Sequence, residues 1–253
     1  MRIDVLTLFP QMFEPVLGAS IPGRARAAGL VEWFVHDIRD HANNKHNKVD
    51  DRPFGGGPGM VMMCQPLWDA VADAEAQAPQ VGPVTRILLT PQGRPLTQEL
   101  VEDLASRPRL LMIAGHYEGV DERVVEALDP LEISIGDYVL SGGELPAMVL
   151  IDSIVRLLPG ALGHLDSAAQ DSFSHTHDDH GRLLDCPHYT RPREWQGREV
   201  PEILLSGDHA KVDQWRLERM IERTRDRRPD LLEGEPDPAR EGPDSPPVQG
   251  GED

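Results

Sequence analysis

The chain has 253 residues, enough for one large domain or two smaller ones, and at 39% hydrophobic it can bury a core. No apolar run reaches the roughly 18 residues of a membrane helix, and two cysteines, Cys64 and Cys186, offer no zinc framework and suit a reducing cytoplasm. The net charge of −18 argues against a nucleic-acid partner, yet residues 229–253 hold eight acids and one arginine while Lys211–Arg228 hold seven basic and four acidic residues. That local excess is either a basic surface or a solvated helix face laced with ion pairs.

Met1-Arg2-Ile3-Asp4 enters a strand pattern at once, with no leader-like apolar segment. Ile3–Leu8 reads as a buried strand ended by Phe9-Pro10. Short helices follow around Gln11–Leu17 and after Ile21-Pro22-Gly23, and Val31–Ile38 is a second strand. A polar, glycine-rich passage then runs from Arg39 to Met60. A connection of about 20 residues is long for a compact domain and marks a functional or mobile loop. Gln65–Ala78 reads as a helix and Arg86–Leu89 as a strand ending in Thr90-Pro91-Gln92-Gly93-Arg94-Pro95. Thr97 is placed to cap the next helix. Arg109–Ile113 is a strand ending in Gly115-His116-Tyr117-Glu118-Gly119, and a helix follows to Leu128.

Next comes Ile133-Ser134-Ile135-Gly136-Asp137-Tyr138-Val139-Leu140-Ser141-Gly142-Gly143-Glu144-Leu145-Pro146. A short strand runs through three glycines into an apolar helix, Leu145–Leu158, with Pro146 in its first turn. Glycines here let backbone approach a ligand, although the spacing is neither a dinucleotide nor a phosphate-loop fingerprint. The alternation of strand and helix over the first 160 residues predicts an α/β fold with a mostly parallel sheet. Three strands end in Gly/Pro turns, and ligands of open α/β sheets sit off such ends. Asp152 and Arg156, spaced i,i+4 on an otherwise apolar helix, are a candidate ion pair. Residues 163–176 read as a linker, and 177–232 as a small, mostly helical second domain. Residues 233–253 read as a disordered acidic tail. His175-Thr176-His177-Asp178-Asp179-His180 holds metal-ligand residue types without an element to fix them, so no metal ligand is assigned.

The stretches Val49–Met60, Pro91-Gln92-Gly93, Gly115–Gly119, Ile135–Pro146, Asp171-Ser172-Phe173 and Asp185–Pro192 together resemble the bacterial tRNA (guanine-N1)-methyltransferase family of the SPOUT class. The resemblance runs from Arg2 to about Arg228. It implies a deep trefoil knot in the sheet domain, residues 1–162, and a homodimer whose active sites are shared between chains. It implies S-adenosyl-L-methionine as methyl donor, and leaves magnesium open. The substrate it implies is tRNA, at N1 of the guanosine 3′-adjacent to the anticodon. It assigns Pro91, Gly115, Ile135, Gly136, Asp137, Tyr138, Val139 and Leu140 to the cofactor, Asp171 as general base, Arg156 to the target base and Asp50 to tRNA. The family more often has arginine where this chain has His116, and an unperturbed histidine is mostly neutral at pH 7. A non-catalytic RNA-binding protein of the same fold and a metal-dependent hydrolase built on the histidine segment are the rival readings.

Overall fold

The computed structural model describes residues 1–162, 171–174, 176–177 and 180–232. The predicted tail 233–253 and most of the predicted linker lie outside the described residues. The chain divides into two compact units, Met1–Leu165 and Asp166–Asp253.

The first unit opens with β1 (Arg2–Thr7), α1 (Glu14–Leu17) and α2 (Ser20–Ala27), then β2 (Glu32–Asp37). A short antiparallel pair, β3 (Asp50–Asp51) and β4 (Val61–Met62), brackets the glycine-rich passage. Next come α3 (Cys64–Ala76), β5 (Val84–Pro95), α4 (Gln98–Ala105), β6 (Arg109–Ala114), α5 (Glu122–Leu128), β7 (Leu131–Ser134) and α6 (Glu144–Val155). Five strands form one sheet in the order β2-β1-β6-β5-β7, with every pairing parallel.

Alternation along each strand feeds two cores. Ile3, Val5, Leu110 and Met112 face one layer, with Leu100, Leu104, Ile151 and Ile154 from α4 and α6. Leu6, Leu111 and Ile113 face the other, with Leu67, Val71, Val124 and Leu128 from α3 and α5. Burial on both faces explains why these strands read as continuous apolar runs. Thr97 caps α4 as the sequence predicts, its Oγ1 accepting from Leu100 N at 3.3 Å.

Two expectations need correction. Residues 90–95 were expected to be a turn after a strand ending at Leu89, but β5 runs on to Pro95, with its register on β7 jumping between Leu89 and Arg94. The bulge absorbs Pro91 and Gly93, so the breakers interrupt the ladder without ending the strand. The helix from Leu145, apolar nearly all round and so expected to be buried, exposes one stripe, with Leu145 51% and Val149 47% accessible. Apolar composition alone did not reveal that this face is left uncovered among the described residues of the first unit.

In the second unit, residues 171–174 form a turn, with Phe173 N donating to Leu183 O at 2.9 Å and Ser172 Oγ accepting from Asp185 N at 2.9 Å. Two short antiparallel pairs follow, β8 (Thr176–His177) with β9 (Gly181–Arg182) and β10 (Glu194–Trp195) with β11 (Arg198–Glu199). The unit's long helix is α7 (His209–Arg227), capped by Asp208, whose side chain accepts from Lys211 N.

Candidate functional site

The bulged stretch of β5 and the turns that follow β6 and β7 line one cleft of about 340 Å³. Its walls are Leu88–Gln92, Gly115–Val120, Glu132–Gly136 and Tyr138–Gly143. Of the predicted cofactor residues, Pro91, Gly115, Ile135, Gly136, Tyr138, Val139 and Leu140 line it; Asp137 is exposed and outside the lining.

Close packing of backbone on backbone builds this site. After β7 the chain passes β5 and returns to β6, where Gly142 bridges His116 and Gly143 N donates to Gly115 O at 2.7 Å. A Cβ on Gly143 would lie 2.7 Å from Ala114 Cα and 2.8 Å from Gly115 N, and one on Gly93 would lie 2.4 Å from Ile133 N. Gly136 has φ of 147°, a region that side chains disfavour. Of the three glycines in the 133–146 stretch, then, Gly143 is needed for contact between the N-cap of α6 and the end of β6, where the sequence pattern suggested contact with a ligand. Ser134 Oγ ties the turn down, donating to Gly136 O at 3.0 Å and accepting from Gly136 N at 3.2 Å.

The cleft's charge is distinctive. Glu118, Glu122 and Glu132 line it, with no lysine or arginine among the described lining residues. Such a wall repels polyphosphates and favours a cationic ligand enclosed by apolar and backbone atoms.

Comparison with known proteins places this geometry. The family model described as "tRNA (Guanine-1)-methyltransferase TrmD" matches residues 1–234. A protein of Pseudomonas fluorescens named tRNA (guanine-N(1)-)-methyltransferase is 54% identical over 233 residues, 92% of this chain and 90% of that protein. One of Ruminiclostridium cellulolyticum with the same name is 52% identical over 235 residues, 92% of this chain and 96% of its own. The chain belongs to the tRNA (guanine-1)-methyltransferase family. The resemblance read from its scattered motifs is borne out, and the family is one of enzymes.

Asp50 and Arg156, which the methyltransferase resemblance also singled out, belong to the first unit and are not among the described residues that line the cleft. Asp50 is in β3, opposite Met62. Through Met62 and Met60 the glycine-rich passage is stitched to the cleft wall, with Met62 N donating to Gly119 O at 2.9 Å and Glu118 N to Met60 O at 3.0 Å. Phe54 in that passage is 96% exposed. Arg156 is the C-cap of α6, a helix of 12 residues, about 18 Å long, whose N-terminus starts at the glycine turn. It is not among the cleft-lining residues. Asp171, in the second unit, is half-buried at the start of the 171–174 turn. That turn is an ordered structure held by Leu183 and Asp185, where the sequence read as linker.

Arg216 and Arg219 of α7 pair with Asp213 and Glu222, and Arg223 donates to Asp185 O at 3.0 Å. The ion-paired helix face expected as the plainer alternative is present, though at i,i+3. The two cysteines are ordinary thiols, each with its pKa raised by burial. Of the histidine segment, residues 175, 178 and 179 lie outside the described residues. Among the described ones the ligand types that do approach are Asp185, Cys186 and His188, within 4.8 Å of one another. His188 already pairs with Asp185 at 2.7 Å, which accounts for that proximity. No helix among the described residues is long and apolar enough to cross a membrane.

Sequence reasoning missed Thr7 and Glu144. Thr7 Oγ1 donates to Glu144 Oε1 at 2.8 Å across 137 residues, with both side chains buried. A threonine ending β1 gives no local sign of that partner.

Proposed function

We propose that this protein is an S-adenosyl-L-methionine-dependent tRNA (guanosine-37-N1)-methyltransferase, working as a cytoplasmic homodimer. The observation that carries the reading is the acidic, backbone-walled cleft beside β5, β6 and β7, in a chain of this family. A cleft with three glutamates and, among the described lining residues, no lysine or arginine suits a donor that is a cation at its reacting centre. A volume of about 340 Å³ is within the range of small-molecule sites. Pro91, Gly115, Ile135–Leu140 and the turn's backbone groups would hold the donor. When bound, S-adenosylmethionine supplies a methyl group made electrophilic by its sulfonium.

The chain's own residues have then to deprotonate guanine N1 and orient it. Asp171 takes the N1 proton as general base. Arg156 stabilises the negative charge that deprotonation spreads onto O6. The guanine enters flipped out of its stack. Asp50 and α7 contact tRNA. Each active site joins the sheet unit of one protomer to the second unit of its partner. A trefoil knot in residues 1–162 is part of the proposal. It is supported by the path of residues 135–142 from β7 past β5 to β6, while β5 itself continues to Pro95 to pair with β7.

The test is nucleoside analysis of tRNA incubated with protein and methyl-labelled donor. 1-Methylguanosine beside the anticodon is expected, and tRNA bound without label transfer would leave a binding protein in its place. Repeating the reaction with a chelator decides the part of magnesium. Asp171→Ala should keep donor affinity and lose transfer by about 10²-fold or more; near-normal turnover would remove Asp171 from the base role.

A further inference from the structure

The cleft's rim rests on a polar cluster that the proposed chemistry does not use. Glu144, first residue of α6, is 3% exposed. Its Oε1 accepts from Thr7 Oγ1 at 2.8 Å, and Thr7 Oγ1 in turn accepts from Phe9 N at 2.9 Å. Its Oε2 faces Nδ1 of His116 at 3.7 Å. That Nδ1 is buried and has no hydrogen-bond partner. A buried ring nitrogen aimed at a buried carboxylate, just beyond hydrogen-bond reach, is an unfinished interaction.

The surroundings leave the imidazole little freedom. Its ring packs against those of Phe9 and Tyr117, each 5.0 Å away between centroids. The His116 backbone bridges Gly142 and its N–H points at Met62 Sδ, 3.2 Å away. A Cβ on Gly142 would lie 2.3 Å from His116 Nδ1 and 2.4 Å from Glu144 Oε2, so the missing side chain is what leaves the two groups facing each other.

We propose that Thr7, Glu144 and His116 form a positioning relay that holds the cofactor run 135–140 at its far end. A small ring rotation brings Nδ1–H onto Oε2 when the cleft is filled. This clamps the 141–143 turn between β1, β6 and α6. Thr7 fixes the carboxylate, the carboxylate fixes the imidazole, and the imidazole fixes the turn; none of the three needs to touch reacting atoms. The inference rests on the cleft being the donor site.

The test measures donor affinity by calorimetry, KM and kcat for methyl transfer, and melting temperature, in the full-length protein. Thr7→Val, Glu144→Gln and His116→Ala should each raise the donor Kd and KM by roughly tenfold, the scale of one lost hydrogen bond to a charged group, with kcat within a few-fold. His116→Asn, whose amide nitrogen takes the place of Nδ1, should restore most of the affinity. Thr7→Val with His116→Ala should cost no more than the worse single change, because both act through one carboxylate. The ¹⁵N shift of His116 Nδ1 should move on donor binding in the wild type and not in Glu144→Gln. Melting temperatures that fall while donor affinity stays level would make the cluster structural and overturn the relay, as would additive single changes. If Glu144→Gln does not fold, the Thr7 and His116 changes carry the test alone. Should wild-type protein bind no donor, the functional reading fails first; should it methylate tRNA with all variants unaffected, only the relay fails.

Discussion

Gly115 and Gly143 face each other across one hydrogen bond, yet substitutions there should behave differently. At Gly143 an added methyl meets backbone at 2.7 Å, whereas at Gly115 a Cβ would meet nothing closer than Leu89 O at 3.6 Å. Gly143→Ala must therefore push the turn off β6. Both stability and donor binding should fall, the affinity by tenfold or more, roughly 1.4 kcal/mol. Gly115→Leu leaves the backbone in place and fills the cleft. It should keep its melting temperature and lose donor binding, as read by calorimetry beside thermal melts. Normal donor affinity in Gly115→Leu would mean the cleft is not the cofactor site.

At the level of elements, one buried charge network ties the sheet to a helix. Asp4 of β1 and Arg109 of β6 are almost fully buried, with Arg109 Nε 3.0 Å from Asp4 Oδ2. The same guanidinium donates to the carbonyls of Ala74, Glu75 and Ala78, closing the C-terminus of α3. Burial alone would raise the Asp4 pKa, but hydrogen bonds from His36, Arg2 and Arg109 hold it at about 2 against an ordinary 3.8. A depressed carboxylate contributes stability that is complete above its unfolded pKa and is lost as pH falls through the folded one. About 2 kcal/mol should disappear between roughly pH 4 and pH 2, and Asp4→Asn should flatten that part of a denaturation-versus-pH curve. Arg109→Met should cost about 3–5 kcal/mol, since it strips a buried carboxylate and a helix end of one partner together.

The α7 arginines divide by what they already hold. Arg216→Ala and Arg219→Ala should each lower the slope of log affinity for tRNA against log salt by up to about 0.9 if they meet phosphates. Arg223→Ala should cost stability as well, because it frees Asp185 O. Slopes unchanged in both would return this helix to a solvated, ion-paired face.

The whole molecule leaves Leu145 and Val149 of α6 and Val16 of α1 exposed on a unit whose other α6 residues are mostly buried. An apolar stripe of this kind marks an interaction face. In the proposed dimer it meets the partner chain, so Leu145→Glu with Val149→Glu should yield a monomer by sedimentation and abolish transfer. Shared sites make a sharper prediction. Mixing inactive Gly115→Leu protein with inactive Asp171→Ala protein should restore activity, because one site of each heterodimer then has an intact cleft and an intact Asp171. If exchange of subunits is shown and activity stays absent, the site lies within one chain.

By itself the sequence determined the layers. Ile3–Leu8 read as a buried strand and Arg109–Ile113 as a strand, and their alternation with helices implied a mostly parallel sheet, because those signals lie in local runs and periodicities of apolar residues. It also carried the family, through motifs spread over nearly the whole chain. The tertiary structure alone decided the strand order, the continuation of β5 through Pro91 to Pro95, the need for Gly143 where the start of α6 meets the end of β6, and the meeting of Thr7, Glu144 and His116. These depend on which residues distant in sequence become neighbours, and close packing between remote backbones has no local pattern from which it could be read.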